Sequence, residues 1–148
     1  MAERSTAVQR APSKTSLTAK DIMQKPVIAA TPRASLRDVA SQLVANEFTG
    51  MPVVAPDGRV VGVITESDIV RAVVQGKRLE NLAASDVMTG PPIAVKMDTP
   101  LEEVMKHLEE NRIVRVPVTN DDVLVGIISR RDVIRAILEP EFIVCGGL

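Results

Sequence analysis

The chain has 148 residues, of which 45% are hydrophobic and 25% charged, a mixture typical of soluble globular proteins. Its formal net charge of −1 and its two aromatic residues, Phe48 and Phe142, argue against a nucleic-acid binder, which needs a basic surface or stacking platforms. One cysteine, Cys145, and one histidine, His107, exclude an intramolecular disulfide and a zinc site built from these residue types.

The first segment, residues 1–16, is polar and interrupted by Pro12, so it lacks the apolar region of a secretory signal. No apolar run approaches the roughly 20 residues of a membrane-spanning helix. We therefore expect a flexible tail here, a cytoplasmic location and no membrane partner.

The first half of the chain predicts an extended segment at residues 27–31 and then a helix capped by Ser35. Two β-branched strands are predicted at 51–55 and 60–65, joined by a turn at Pro56-Asp57-Gly58. A second helix at 67–75 is expected to end near Gly76. The apolar stripe of the first helix has helical spacing and consists of Leu36, Val39, Ala40, Leu43 and Val44.

The second half repeats this pattern, with an extended segment at 93–96, strands at 116–119 and 123–129, and a final helix ending at Glu139-Pro140. Thr99 to Glu102 reads as a capping box with Pro100 at the first helical position. The helical stripe is Leu101, Val104, Met105 and Leu108. Identical pairs at matching positions include Asp21/Asp86, Met23/Met88, Pro26/Pro91, Gly62/Gly126, Asp68/Asp132 and Arg71/Arg135.

The duplication predicts an α/β (α+β) fold in which two β-α-β-β-α units pack sheet to sheet, because a unit of this size hardly buries its own apolar faces. The expected organisation is a tail at 1–16, repeat 1 at 17–76 and a linker at 77–85. Repeat 2 follows at 86–139 and a second tail at 140–148.

The strongest motif is Gly-Val-Ile-Thr-Glu-Ser-Asp at residues 62–68, repeated as Gly-Ile-Ile-Ser-Arg-Arg-Asp at 126–132. Each copy lies where a strand is followed by a helix, and the unpaired N–H groups of a helix start favour phosphate. The hydroxyl and the carboxylate could bind phosphate and ribose. The same spacing is also that of a helix capping box, and both interpretations stay open.

Together with the Asp-x-Met-x-x-Pro segments, these motifs resemble the cystathionine-β-synthase (CBS) domain, and two in tandem resemble a Bateman module over residues 17–139. The resemblance implies two clefts between the repeats that hold AMP, ADP, ATP, S-adenosylmethionine or another adenosine ligand, with no obligatory cofactor. It also implies a homodimer that pairs through its helices, and an unidentified regulated protein as partner.

By position, the first cleft implied by the resemblance comprises Thr65, Ser67, Asp68, Met88, Ile93, Ile113, Val114 and Arg115. The second comprises Ser129, Arg131, Asp132, Met23, Ile28, Phe48, Thr49 and Gly50. Arg115 matches a phosphate-binding position of some family members, and Gly50 is its counterpart in repeat 1. Arg131 is either a substitute phosphate ligand or a solvated surface residue. We expect the first cleft to have the fuller phosphate-binding set.

Several single residues have competing interpretations. Arg71 and Arg135 each suit an i, i+3 ion pair with the preceding aspartate more than a phosphate contact. The two motif methionines suit either the core or a purine base, and His107 suits the surface.

The function that we expect is regulatory ligand binding without catalysis. Its alternatives are a structural docking module with degenerate clefts, a nucleic-acid binder, and an enzyme using Asp68 and Asp132.

Overall fold

The computed structural model describes residues 17–90 and 92–146, and side chains are described only up to residue 139. The tail predicted at residues 1–16 and the side chain of Cys145 lie outside this description. Within the described part, no helix is long and apolar enough to cross a membrane.

Within the described residues, the first half contains three α-helices and one hairpin. Its helices are α1 (Ala19–Ile22), α2 (Leu36–Asn46) and α3 (Glu66–Val74), and its strands are β1 (Gly50–Val54) and β2 (Val60–Thr65). The two strands are antiparallel, with Gly50 opposite Thr65. A short 3₁₀ helix at Leu79–Asn81 leads into the second half.

The second half has the same order of elements with one additional short strand. It consists of α4 (Ala84–Val87), β3 (Val95–Lys96), α5 (Leu101–Glu110), β4 (Arg115–Asn120), β5 (Val123–Ser129) and α6 (Arg130–Gly146). The strands form one sheet in the order β3-β4-β5, with β3 parallel to β4 and β5 antiparallel to it. Arg115 lies opposite Ser129, the position that Gly50 and Thr65 occupy in the first hairpin.

Several boundaries differ from the predictions. Residues 27–31 form no strand; Ala30 alone makes a bridge, to Val53, so this segment is extended without a regular ladder. The capping box at Thr99 is not formed, because Pro100 itself is the N-cap of α5 and the Thr99 hydroxyl accepts a hydrogen bond from Lys96 N. The predicted Ser35 cap is confirmed by its hydrogen bond from Asp38 N at 3.1 Å.

The stretch predicted as a linker, residues 77–85, packs on the first half. Leu79 and Leu82 contact its core, and Leu36 N donates to Leu82 O at 2.8 Å. The final helix does not end at Glu139-Pro140 but continues to Gly146. A proline removes one helical hydrogen bond and does not have to terminate the helix.

Each half has its own aliphatic core, and each core is completed by a segment from the other half. We call residues 18–24 and 83–89, which contain the short helices α1 and α4, the lead segments. Ala19 and Met23 pack in the core of α5, β4, β5 and α6, whereas Ala84 and Met88 pack in the core of α2, β1, β2 and α3. The lead segments are thus exchanged between the halves.

Backbone hydrogen bonds hold the exchanged segments in place. Gln24 and Ile127 bond each other through both backbone groups, at 2.8 and 3.1 Å, and Thr89 and Val63 do the same at 3.0 and 3.1 Å. The halves also meet at the hairpin turns, where Leu124 N donates to Gly58 O. Side chains of both hairpins line one shared cavity, as expected for two repeats packed through their sheets.

Candidate functional site: two clefts between the repeats

The doubled hydroxyl-x-x-carboxylate motif caps the helices that follow the hairpins. Thr65 N donates to Asp68 Oδ2 at 2.8 Å, and Asp68 N donates back to Thr65 Oγ1 at 3.4 Å. Ser129 and Asp132 make the same two bonds, at 2.8 and 3.1 Å. The capping interpretation is therefore confirmed for both copies, and a ligand at these helix starts would share groups that already satisfy the backbone.

Both motif carboxylates are also paired with an arginine one turn later. Arg71 Nη1 lies 3.0 Å from Asp68 Oδ1, and Arg135 Nη1 lies 3.1 Å from Asp132 Oδ1, which confirms the predicted ion pairs. The aspartate side chains are only 6% and 7% exposed. Buried carboxylates at the ends of hydrogen-bond networks are held in a fixed orientation.

The first cleft is a cavity of about 350 Å³ between the two hairpins. Of the residues predicted for it, the structure brings together Thr65, Ser67, Ile113, Val114 and Arg115. The other three, Asp68, Met88 and Ile93, are not among the described residues that line it. Its remaining lining residues are Thr49, Gly50, Met51, Pro52, Val63, Glu66, Arg112, Pro117 and Ile127.

The second cleft is a separate cavity of about 300 Å³ that is also lined by residues of both halves. It brings together six of its eight predicted residues, namely Ile28, Phe48, Gly50, Ser129, Arg131 and Asp132. Thr49 lies in the first cleft instead. The remaining residues of the second cleft are Gln24, Pro26, Val27, Pro52, Arg115 and Ile127.

Both motif methionines belong to the cores, one of the two roles that the sequence left open. Met23 lies directly against Gly126, and Met88 lies directly against Gly62. A Cβ atom at Gly126 would stand 2.7 Å from Met23 Cγ, so only glycine lets the lead segment approach this closely. The glycine that begins each motif thus has a packing role.

The second cleft contains a polar contact that the first lacks among the described residues. Gln24 Nε2 donates to Asp132 Oδ1 at 3.1 Å, across the boundary between the halves. Thr89 is the counterpart of Gln24, and no described side-chain hydrogen bond joins it to Asp68. The carboxylate of the second cleft is therefore bonded from both halves of the chain.

Arg115 lies at the boundary of both clefts. Its guanidinium carbon is 4.3 Å from the centre of the Phe48 ring, a cation–π arrangement. Its buried Nε has no hydrogen-bond partner within the described structure. Burial lowers the pKa of this guanidinium, and the negative charge of Asp132 acts in the opposite direction.

Sequence reasoning missed three polar residues of the clefts, Gln24, Glu66 and Arg112. Each is the direct neighbour of a residue that the motifs did select, and this adjacency is the signal that could have found them. The sharing of Arg115 had no such signal, because it depends on how the hairpins face each other.

The CBS domain family matches the chain twice, over residues 19–75 and 84–139. An uncharacterised protein of Methanocaldococcus jannaschii is 31% identical, over 80% of this chain and 90% of that protein. Among other relatives are longer enzymes, and the chain spans about a quarter of their length, 24% in two cases.

Solved structures agree with the family match. CBSX2 in complex with AMP has a TM-score of 0.74 and 28% identity, over 84% of this chain and 98% of that one. The CBS domain pair of protein MJ0100, with 5′-methylthioadenosine and S-adenosylmethionine, has a TM-score of 0.74 and 30% identity over the same shares. The chain belongs to the CBS domain family, as a tandem pair of CBS domains that forms a Bateman module.

Proposed function

We propose that this chain is a regulatory module that binds an adenosine-containing ligand between its repeats, and that it is not an enzyme. The second cleft is the observation that carries the proposal. It joins apolar side chains suited to a purine, Ile28 and Phe48, to groups suited to ribose and phosphate, Asp132 and Arg131. Complexes of related CBS pairs with AMP and with S-adenosylmethionine support this class of ligand.

Binding would act on the arrangement of the two halves, because each cleft has walls from both. A ligand shifts such an equilibrium only through its differential affinity for the two arrangements. In the second cleft, a ribose hydroxyl at Asp132 would compete with the amide of Gln24, which belongs to the other half. This competition links occupancy to the lead segment, and through it to a partner protein or a second copy.

We expect a thermal-shift panel of AMP, ADP, ATP, S-adenosylmethionine, NAD and cyclic dinucleotides to identify a stabilising ligand. A ligand at about 100 times its Kd stabilises the folded state by about 2.7 kcal/mol. Asp132→Ala should weaken binding of the responsive ligand by about 10- to 100-fold, since a hydrogen bond to a charged group contributes about 1.5–3 kcal/mol. Asp68 does not line the first cleft but holds Thr65, which does, so Asp68→Ala tests that cleft through Thr65.

The aspartate variants also lose a helix cap, so each shift is measured from that variant's own ligand-free Tm. Asp132→Asn, which keeps the side-chain size, separates lost charge from lost packing. Asp98→Ala, at an exposed position, is the matched control and should leave the shift unchanged. A full shift in both alanine variants would contradict the assignment of the ribose contacts, and turnover of ATP or AMP would contradict the non-enzymatic function.

We further propose a homodimer that pairs through the outer helices. Val70 on α3 and Ile134 on α6 occupy equivalent positions in the two repeats and are 60% and 56% exposed. Val74 and Leu138, one turn later, are exposed as well. Four exposed aliphatic side chains repeated in this way form matching apolar faces, which a second copy of the chain could cover.

Light scattering is expected to give the mass of a dimer for the wild-type chain. The double variant Val70→Glu/Ile134→Glu should be monomeric, because burying an unpaired carboxylate in an apolar contact is strongly unfavourable. Lys96→Glu, an exposed residue of β3, adds a similar charge and should remain dimeric. A monomeric wild type, or a dimer in the double variant, would contradict pairing through these faces.

The same helix faces support the second candidate function, a docking module whose clefts hold no ligand. That function would be favoured if no member of the panel raised the Tm while the chain still formed a dimer.

A further inference from the structure

The two clefts share one wall. Gly50, Pro52, Arg115 and Ile127 line both cavities. Of these four, only Arg115 carries a charge, and it is the one ionisable residue that borders both clefts in the described part of the chain. The sequence placed this arginine in the first cleft, whereas its position in β4 opposite Ser129 brings it to the second as well.

Arg115 is restrained at this central position. Its guanidinium lies over the Phe48 ring from the other half of the chain, and its buried Nε has no described partner. A buried donor without a partner is costly, and an anion is a strong acceptor for an arginine. The side chain is therefore suited to an anionic group, and either cleft could supply one.

The other charges of the clefts are not shared. The first cleft has Arg112 and Glu66 of its own, and the second has Arg131 and Asp132. Asp132 is already paired with Arg135, so Arg131 remains as a phosphate ligand that only the second cleft can use, as Arg112 is for the first. Among the described residues, Arg115 is the one positive charge that both clefts share.

We propose that Arg115 couples the clefts, so that a phosphate-bearing adenosine ligand in one weakens the binding of a second in the other, whereas an uncharged adenosine ligand binds each independently. The inference rests on the proposed function and adds a mode of regulation to it. If the guanidinium turns to one phosphate, the other cleft loses this shared cation.

Titration calorimetry with AMP and with adenosine tests the coupling. The affinity of each cleft alone is measured with the other cleft filled by a bulky side chain, in Ile28→Trp for the first cleft and in Ser67→Trp for the second. The product of these two association constants is compared with the overall association constant for binding two ligands to the wild-type chain. For AMP we expect the wild-type constant to be about tenfold below the product, or about 1.4 kcal/mol. For adenosine we expect the two to agree.

The comparison is repeated with Arg115→Met, which keeps an unbranched side chain next to Phe48 and removes the charge. In this background, AMP should bind more weakly and the tenfold deficit should disappear. Arg112→Met, which removes a charge that only the first cleft uses, is the matched control and should retain the deficit.

The outcomes separate the two proposals. An AMP deficit that persists in Arg115→Met, an equal deficit for adenosine, or no deficit in the wild-type chain would each overturn the coupling and leave the proposed function intact. A chain that binds neither AMP nor adenosine in any background would contradict the proposed function, and the coupling with it.

Discussion

Replacing Ile128 with alanine is expected to lower the free energy of unfolding by about 2–5 kcal/mol, because it leaves a cavity in a close-packed core. The side chain of Ile128 is fully buried in β5 and packs in the core of the second half. The loss can be measured by urea denaturation as a lower transition midpoint with an unchanged slope.

Val123→Ala is the matched control, since it shortens an aliphatic side chain in the same strand at a position that is 39% exposed. Its effect should stay near the roughly 0.5 kcal/mol that is usual for surface substitutions. Equal losses in the two variants would contradict the assignment of Ile128 to the core. A changed slope would indicate that the variant alters the compactness of one of the states.

Gly126→Val is expected to destabilise the chain by about 1–3 kcal/mol, because overpacking forces neighbouring groups to move. A Cβ atom at this position would stand 2.9 Å from Met23 Cβ as well as 2.7 Å from Met23 Cγ, so a change of the methionine rotamer alone cannot relieve the contact. The backbone of the lead segment must shift, and Gln24, the next residue, must shift with it. We therefore expect weaker ligand binding in the second cleft and unchanged binding in the first.

The double variant Gly126→Val/Met23→Ala provides the rescue experiment. Met23→Ala removes the contacts with Sδ and Cγ but keeps the contact with Cβ, so the rescue is partial and the double variant should lose less stability than the sum of the single losses. Chemical denaturation gives the stability, and calorimetry on the Ser67→Trp background, in which the first cleft is filled, gives the affinity of the second cleft. Strictly additive losses would show that Met23 and Gly126 do not interact.

Local chemistry explains which features could be predicted from the sequence. Strands β2 and β5 have the predicted bounds, because runs of β-branched residues between turns specify their own limits. The caps at Thr65 and Ser129 follow from spacing alone. That Thr65 and Ser129 also line the clefts was predicted only from the resemblance to the CBS family.

The features that could not be predicted are those decided between distant segments. Nothing in the local pattern around Met23 indicates that it packs against Gly126, and the exchange of the lead segments follows from such contacts. The position of Arg115 on both clefts depends on hairpin register and on the approach of Phe48. The predicted cap at Thr99 was wrong because sequence spacing cannot tell whether a proline such as Pro100 is the first residue of a helix or precedes it.

The exchange of lead segments has a consequence for the origin of the fold. In a single repeat on a separate chain, the motif glycine would lack the methionine that packs against it, and the lead segment would lack the core in which it packs. Two such chains could form both contacts only by exchanging lead segments with each other. Joining the two copies makes that trade intramolecular, so its entropy cost becomes that of closing a loop rather than that of bringing two molecules together. In the tandem chain, both lead segments belong to one molecule, so their exchange does not require a second chain.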